Sequence, residues 1–371
     1  MKLKDLIESN NTGLDAIKRA PIVEYDTGIR CLRIGDISNN RPFNDWGYTE
    51  VEANNYKKFQ LKKDDIIVAR TGATIGVNKY IDKDYKSVYN NGLIRIRVKE
   101  ENNPKYVYYL LQSNNYRNFI KTISMGTSTQ PNMQMNDLLN LEVPEFDRDK
   151  QDKIVQLLGN IDKKIELNNE INNNLYEEAV ALYKDKFKGI GQGKKTIGDY
   201  IVPKRGKNLL TRDAINGDTP VVAGGIDPSA YHNRFNTKSP VITISASGAN
   251  AGYTNLWNIP VWASDCSYID DSITKNVYFW YIVLKTRQNE IFDAQTGSAQ
   301  PHIYPQHIAE MSIGELNIAE VEKYNNLVAP LFKMIGENQK ENKKLSQLRD
   351  TLLPKFCLLY TSPSPRDAHE S

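Results

Sequence analysis

The sequence has little of what secreted, metal-binding or membrane proteins need. Its three cysteines, Cys31, Cys266 and Cys357, are too few and too scattered for a disulfide framework or a zinc site. Its four histidines show no metal-ligand spacing. The longest apolar run, residues 277–284, is too short to cross a bilayer, and residues 1–10 lack the apolar core of a secretion signal. We therefore expect a cytoplasmic protein with no metal site and no membrane contact.

An excess of charge of one sign is also missing. Lys and Arg number 48 against 45 Asp and Glu, so the net charge is only +3. This balance excludes a histone-like protein that binds polyanions through bulk charge. With 40% hydrophobic residues the chain can build sizeable cores, and its 371 residues predict two domains, since one domain usually takes ~150 residues.

Catalytic signatures are lacking as well. The segment GQGKKT at 191–196 resembles the end of a phosphate-binding loop, but the position of its first glycine holds Lys188 and no strand precedes it. The chain has no G-x-S-x-G nucleophile turn. The segment DPSAY at 227–231 lacks the second proline of the loop with which adenine methyltransferases grip a flipped base. We therefore expect a chain without catalytic activity of its own.

Two long segments instead have the apolar spacing of coiled-coil helices. Apolar residues recur at alternating steps of four and three from Ile154, and again from Leu327, which keeps one stripe on one side of a helix. An offset of 173 residues superimposes the stripes in phase, which favours paired helices over two unrelated amphipathic helices. Polar members, Asn168 and Asn172 in one stripe and Asn338 and Glu341 in the other, would fix the register. The apolar members of the predicted seam are Ile154, Leu158, Ile161, Ile165, Leu175, Leu182, Leu327, Leu331, Met334, Leu345, Leu348 and Leu352.

The segments between these helices also repeat each other. ARTGATIGV at 69–77 matches SASGANAGY at 245–253, and GTSTQPNM at 126–133 matches TGSAQPHI at 296–303. Short β-rich runs bounded by Gly, Asn and Asp dominate both segments, and an aromatic-rich helix is predicted late in each. The sequence therefore predicts two similar mixed α/β domains that alternate with two long helices.

The repeated motifs carry the polar side chains that could bind a ligand. Their glycines allow tight turns in any protein, and pairs of basic residues are usually solvated. However, Gln, Asn, Ser and Thr hydrogen-bond to DNA base edges, while Arg and Lys contact guanine or phosphate. The candidate DNA-binding residues are Arg70, Thr71, Thr74, Ser128, Thr129, Gln130, Lys204, Arg205, Ser245, Ser247, Asn250, Ser298, Gln300 and His302.

In this order, the motifs resemble the DNA-specificity subunit of type I restriction-modification systems. The stretches that carry the resemblance are IRCLRIGDIS, DDIIVARTGATIG, GTSTQPNM, KIVQLLGNIDKKIELNNEINNNL, VWASDCSYI, TGSAQPHI and LSQLRDTLLPKF. The resemblance implies an α/β (α+β) fold in which two target-recognition domains are separated by helices that pair as an antiparallel coiled coil. From the composition of the segments we expect recognition domains at 1–143 and 191–315 and spacer helices at 144–190 and 316–356. Residues 357–371 depart from the family pattern, and we expect a disordered or non-native tail there.

The resemblance also implies partners. The subunit would recognise a bipartite target in double-stranded DNA and dock two methyltransferase subunits together with restriction and translocase subunits. Those partners would carry S-adenosylmethionine, ATP and Mg, and this chain would carry no cofactor. The alternative from the residues alone is a coiled-coil scaffold whose duplicated domains bind protein or carbohydrate, which leaves the polar motifs without a role.

Overall fold

The structure, a computed structural model, describes residues 1–125, 132–297 and 300–358 of the chain. It divides into two compact units. Unit 1 comprises Met1–Lys163 and the chain from Lys344 onward, and unit 2 comprises Lys164–Lys343. Both units combine helices with mainly antiparallel sheets, which confirms the predicted mixed α/β class.

Unit 1 contains two four-stranded sheets. One has the order β1-β8-β5-β6 and is antiparallel throughout; the other has the order β2-β4-β3-β7 and pairs β3 with β7 in parallel. The strands are Ile7–Thr12 (β1), Ile22–Val23 (β2), Arg30–Leu32 (β3), Gly47–Thr49 (β4), Ile66–Ala69 (β5), Asn78–Tyr80 (β6), Ser87–Tyr89 (β7) and Leu93–Val98 (β8). The helices are Leu3–Leu6 (α1), Ile34–Ser38 (α2), Ala53–Phe59 (α3), Pro104–Leu110 (α4), Asn114–Met125 (α5), Met135–Leu139 (α6) and the first part of Arg148–Lys186 (α7).

The central strand β5 is buried on both faces because a core lies on each side of it. Ile66 and Val68 belong to the core formed with α4 and α5, whereas Ile67 and Ala69 belong to the core of the second sheet. Successive side chains of a strand point to opposite faces, so alternate residues serve the two cores. This double burial holds the end of β5 firmly in place.

The aromatic-rich helix that the sequence predicts late in the first domain is interrupted in unit 1, between α4 and α5. Asn103 caps α4, where its side chain accepts the backbone N–H of Lys105 at 2.9 Å. The hydroxyl of Ser113 then donates to the Leu110 carbonyl at 2.7 Å and accepts the N–H of Tyr116 at 3.2 Å. Ser113 therefore ends one helix and begins the next, a local competition with the helical ladder that apolar spacing does not reveal.

Unit 2 repeats the arrangement of the first sheet. Its sheet order β10-β16-β13-β14 is antiparallel, β12-β11-β15 forms a smaller sheet, and β17 pairs with β9. The strands are Lys195–Thr196 (β9), Lys204–Arg205 (β10), Thr219–Val222 (β11), Ala230–His232 (β12), Val241–Ser245 (β13), Thr254–Trp257 (β14), Trp262–Ala263 (β15), Cys266–Asp270 (β16) and Ser312–Ile313 (β17). The helices are Val277–Thr286 (α8), Gln288–Asp293 (α9), Pro305–Ala309 (α10) and, in its first part, Ile318–Leu358 (α11).

The predicted aromatic helix α8 lies at the centre of unit 2. It is apolar nearly all round, as expected for a helix covered on several sides. Tyr278 stacks on Phe332 of α11, with ring centroids 5.0 Å apart and planes inclined by 3°. Phe279 packs edge-on against Tyr324 of α11 and Tyr183 of α7. Both long helices thus contribute aromatic side chains to the core of unit 2.

The two predicted long helices are α7 and α11, and each contributes residues to both units. Pro330, which the sequence places in the first turn or at a kink, lies well inside α11. Because proline has no backbone N–H, it cannot donate to the carbonyl of Asn326 one turn earlier. The helix begins instead at Ile318, after Asn317 accepts the N–H of Ala319 through its side-chain oxygen at 3.1 Å.

Candidate nucleic-acid interface

A tight turn, residues 70–76, follows the buried strand β5 of unit 1. Gly72 and Gly76 adopt φ angles of +82° and +87°, in the left-handed region that favours glycine. The N–H of Gly76 donates to the Ala69 carbonyl at 2.8 Å, and the N–H of Ile75 donates to the Gly72 carbonyl at 3.2 Å. These bonds fix the backbone of the turn directly at the end of a rigid strand.

The turn at 246–252 in unit 2 has the same backbone. Gly248 and Gly252 have φ angles of +82° and +84°. The N–H of Gly252 donates to the Ser245 carbonyl at 2.7 Å, and the N–H of Ala251 donates to the Gly248 carbonyl at 3.0 Å. The repeat in sequence is therefore a repeat in geometry, bond for bond.

The two glycines of each turn are needed for different reasons. A Cβ atom at Gly76 would lie 2.9 Å from Cγ2 of Ile120, and one at Gly252 would lie 2.9 Å from Cγ2 of Ile291. A Cβ atom at Gly72 or Gly248 would meet nothing within 4 Å. The first glycine is needed only for its left-handed backbone conformation, whereas the second also leaves room for a helix to pack against the turn.

A second segment lies beside each turn, where the repeated QP motifs end. Thr71 forms a backbone bridge with Asn132 in unit 1, and Ser247 forms one with His302 in unit 2. Each unit therefore brings together two motifs that are far apart in sequence. The combined surface of the turn, the returning segment and the side chains of the adjoining strands and their ends is called here the turn surface of that unit.

The turn surface of unit 1 carries mostly neutral hydrogen-bonding groups. Nη2 of Arg70 donates to Oδ1 of Asn132 at 3.1 Å. Thr71 and Thr74 are partly exposed on the turn. Several predicted site residues lie outside the described part of the chain and have no position here: Ser128, Thr129, Gln130 and Ser298.

The turn surface of unit 2 contains an ion pair. Nη2 of Arg205, on β10, lies 2.5 Å from Oδ1 of Asp265, and the hydroxyl of Ser247 donates to the other carboxylate oxygen. The Arg205 and Asp265 side chains are 42% and 33% exposed, so the pair faces solvent. Lys204 is exposed beside Arg205 on the same strand. Three side chains from three elements thus meet at the turn.

The remaining predicted residues of unit 2 have different surroundings. Ser245 is buried within β13, whereas Asn250 is partly exposed and Gln300 is exposed. The ring of His302 stacks on Tyr304, with centroids 6.0 Å apart and planes inclined by 12°. The structure therefore places Asn250, Gln300 and His302, but not Ser245, where a ligand at the surface could reach them.

Sequence reasoning missed three residues of these surfaces: Asn132, Asp265 and Tyr304. Asp265 stands within VWASDCSYI, a stretch that carries the family resemblance but supplies none of the candidate binding residues. Its pairing with Arg205 depends on the antiparallel register of β10 and β16, which places Arg205 opposite Ser267. The neighbouring Cys266 is buried, which raises the pKa of its thiol to about 12 and keeps it protonated. Only the register of the sheet could identify Asp265.

Within unit 1, α7 and α11 are joined by apolar and ionic contacts. Ile154 and Leu158 of α7 and Leu353 of α11 are buried in the core that includes α4. Asp162 accepts from the Tyr109 hydroxyl at 2.6 Å and from Nη1 of Arg349 at 3.0 Å. The carboxylate of Asp162 therefore ties α4, α7 and α11 together.

Within unit 2, the same two helices meet through polar side chains. Nδ2 of Asn168, which is 1% exposed, donates to Oε2 of Glu341 at 2.7 Å and to Oδ1 of Asn342 at 2.8 Å. Nδ2 of Asn338 donates to Oδ1 of Asn172 at 2.8 Å. We call these residues, with Asn169, the asparagine layer: Asn168, Asn169, Asn172, Asn338, Glu341 and Asn342.

The predicted seam residues are distributed unevenly between buried and exposed positions. On α7 the buried or partly buried members are Ile154, Leu158, Ile161, Ile165, Leu175 and Leu182. On α11 the partly buried members are Leu331, Leu345 and Leu352, and the half-exposed ones are Leu327, Met334 and Leu348. The buried apolar residues of α11 in unit 2 are Val321, Tyr324, Val328, Phe332 and Ile335, since this part of the helix also faces α8. A helix with two packed faces does not show a single narrow stripe.

The described residues show no sign of a metal centre or of a membrane span. No group of three His, Cys, Asp or Glu side chains in ranges 1–125, 132–297 and 300–358 is placed to hold a metal ion. In the same ranges, no helix is both long and apolar enough to cross a membrane.

Fold and site together define a class: a protein with two copies of one α/β unit, each with a hydrogen-bonding turn, and two long paired helices. Residues 1–177 match the sequence model of the family described as "Type I restriction modification DNA specificity domain". The type I restriction enzyme MjaIX specificity subunit of Methanocaldococcus jannaschii is 27% identical over 308 residues, 72% of this chain and 71% of that protein. The putative type I specificity subunit S.MpnORF638P of Mycoplasma pneumoniae is 25% identical over 310 residues, 77% of this chain and 80% of that protein.

A solved structure has the same fold. The crystal structure of the type I restriction-modification system S subunit from M. genitalium aligns with a TM-score of 0.56 at 20% identity, over 96% of this chain and 95% of that one. Residues 1–177 thus match the type I DNA specificity domain, and the chain is similar to type I restriction-modification specificity subunits over most of its length. These matches confirm the resemblance drawn from the motifs and do not favour the scaffold alternative.

Proposed function

We propose that each unit reads one half of a split DNA target through its turn surface. Unit 1 would read its half with recognition domain 1–143, and unit 2 with recognition domain 191–315. The observation that carries the proposal is the pair of turns, which share backbone geometry and hydrogen bonds but differ in side chains. A common frame with different hydrogen-bonding groups is what two readers of different base sequences require.

The side chains on the turns suit contact with DNA. Thr71, Thr74 and Asn250 can donate to and accept from base edges, while Lys204 and Arg205 can contact phosphate or guanine. Phosphate contacts release counterions, so binding would weaken as salt rises. A net charge of only +3 supports a division of labour in which partner subunits supply part of the attraction to DNA.

The chain would act as a non-catalytic subunit in the cytoplasm. Methyltransferase subunits, two in number, would dock on the helices α7 and α11 and supply S-adenosylmethionine, and restriction and translocase subunits would supply ATP with Mg. The half-exposed apolar residues Leu327, Met334 and Leu348 of α11 support docking, because such side chains lose contact with water when a partner covers them. The purified chain alone should neither methylate nor cleave DNA.

The first experiment is co-expression with a methyltransferase gene adjacent to this gene, followed by mapping of methylated adenines in the host DNA. A split motif with a fixed gap is the expected result. Methylation without a defined sequence, combined with failure of the two proteins to co-purify, would contradict the proposal.

A domain exchange then tests the assignment of half-sites. Replacement of residues 191–315 by the corresponding segment of another specificity subunit should change one half of the motif and preserve the other. The reciprocal exchange of residues 1–143 is the matched control and should change the opposite half. A change in both halves, or in neither, would show that the units do not read DNA separately.

A further inference from the structure

In the part of the chain that the structure describes, the turn surface of unit 2 has an ion pair that the turn surface of unit 1 lacks. Because their backbones match, equivalent positions can be assigned from hydrogen bonds. The N–H of Ala246 donates to the carbonyl of Asp265 at 3.2 Å, and the N–H of Arg70 donates to the carbonyl of Gly92 at 2.9 Å. Gly92 of unit 1 therefore stands where unit 2 has Asp265, and no carboxylate is present at that position.

The arginine of the pair is also specific to unit 2. The N–H of Gly206 donates to the Cys266 carbonyl at 2.8 Å, and the N–H of Gly13 donates to the Leu93 carbonyl at 3.1 Å. These bonds make Gly206 equivalent to Gly13, so Arg205 corresponds to Thr12 of unit 1. The two units thus share the backbone at these positions, and unit 2 differs in the two side chains that form the ion pair.

The geometry restrains the guanidinium of Arg205. Oδ1 of Asp265 lies 2.5 Å from Nη2, and Ser247 donates to Oδ2 of the same carboxylate, which is therefore held from two sides. A guanidinium has five N–H donors in a rigid fork, and this contact engages one of its nitrogens. Restraint before binding lowers the conformational entropy lost when the fork meets a ligand.

The charge of Asp265 indicates which DNA group the arginine would contact. A phosphate contact gains from net positive charge, and a carboxylate beside Arg205 cancels that charge and repels phosphate. Guanine offers two neutral acceptors, O6 and N7, whose spacing matches two donors of the fork. A paired arginine is therefore better suited to guanine than to the backbone.

We infer that Asp265 is a positioning residue that orients Arg205 toward a guanine in the half of the target read by unit 2. The inference rests on the proposed function, since it names the base that one turn surface recognises. Unit 1, with Thr12 and Gly92 at the equivalent positions, has no such contact.

The test maps methylated adenines for the complex of the full chain with its methyltransferase. Arg205→Lys keeps the charge but loses the fork, and Asp265→Ala releases the arginine. Both should reduce the preference for one G·C pair in one half of the motif by roughly 5- to 150-fold, the range for a bidentate base contact. The other half of the motif should be unchanged, which shows in the same experiment that the complex is folded.

The matched control is Arg212→Lys, on an 81% exposed arginine of unit 2 paired with the adjacent Asp213, which should leave the motif unchanged. An unaltered motif for Arg205→Lys would overturn the inference, as would a uniform fall in affinity for all sequences, which indicates a phosphate contact. If Asp265→Ala abolishes methylation altogether, the variant complex is not functional, and the result for Arg205→Lys alone tests the inference. Absence of any defined motif with the unmodified chain would contradict the proposed function instead.

Discussion

Asn168 of α7 and Glu341 of α11 occupy equivalent positions in the two helical repeats, 173 residues apart, and they hydrogen-bond to each other at 2.7 Å. When equivalent positions of two similar helices meet, the helices are locally related by a two-fold axis at that point. Two further contacts show the direction of the helices: Asn172 meets Asn338, and the Ala179 carbonyl meets the Tyr324 hydroxyl. Residue numbers rise along α7 as they fall along α11, so the two helices run antiparallel in unit 2. The asparagine layer therefore defines the register of α7 against α11 within unit 2.

Asn168→Ala should lower the free energy of unfolding of the chain by about 1–3 kcal/mol, because it removes two hydrogen bonds and leaves a gap at a buried position. The midpoint of thermal unfolding, measured on the full chain, checks this. Asn173→Ala, at an exposed position of the same helix, is the control and should stay within about 0.5 kcal/mol. Equal effects of the two substitutions would show that the asparagine layer does not stabilise the pair.

The stability of the helix pair in unit 2 should depend on pH through Glu341. The hydrogen bond from Asn168, assisted by Lys164, holds the pKa of this carboxyl below its ordinary value of 4.5. The unfolded chain thus binds the proton more readily, so the contribution is present above pH 4.5 and is lost as the pH falls through the lower pKa of the folded state. Glu341→Gln should lose less stability than the unmodified chain when the solution is acidified through this range, as measured by unfolding at each pH. Identical pH profiles would contradict the assignment.

Asp162→Ala should weaken the contact between α7 and α11 in unit 1. The substitution removes two hydrogen bonds to a carboxylate that is only 30% exposed and leaves Arg349 without this partner, at a cost of about 1–2 kcal/mol. Tyr109→Phe removes only one of the two bonds and should cost about half as much. Urea unfolding of both variants and of the double variant checks the coupling. Additive effects would show that Tyr109 and Asp162 act independently.

The glycines of the unit 2 turn provide a matched pair of substitutions. Gly248→Ala meets no atom within 4 Å and should cost about 1–2 kcal/mol for the left-handed backbone alone. Gly252→Ala also forces its Cβ against Ile291 and should cost about 1–3 kcal/mol more. In methylation mapping, Gly252→Ala should impair the half-site of unit 2 and spare that of unit 1. A larger effect of Gly248→Ala would contradict this account of the turn.

Much of the fold could be predicted because it follows from local patterns of the sequence. The apolar spacing of α7 and α11 identified two long helices, and the repeated glycine motifs identified two similar units, since both signals follow from the periods of helix and strand. The split of the helix at Ser113 was missed because a single hydroxyl that competes for backbone hydrogen bonds leaves no mark on apolar spacing. The buried face of α11 toward α8 was missed because spacing does not show that a helix has two partners.

The sequence by itself determined the class of the protein, its duplication and the residue types that are proposed to contact DNA. Only the tertiary structure decided which of those residues share a surface. Arg205, Ser247 and Asp265 come from three separate elements, and the antiparallel register of β10, β16 and β13 brings them together. Likewise, the partner of Asn168 is fixed by the direction in which the helices pair. Such contacts between distant residues depend on strand register and helix packing, which arise from the burial of whole faces rather than from any local motif.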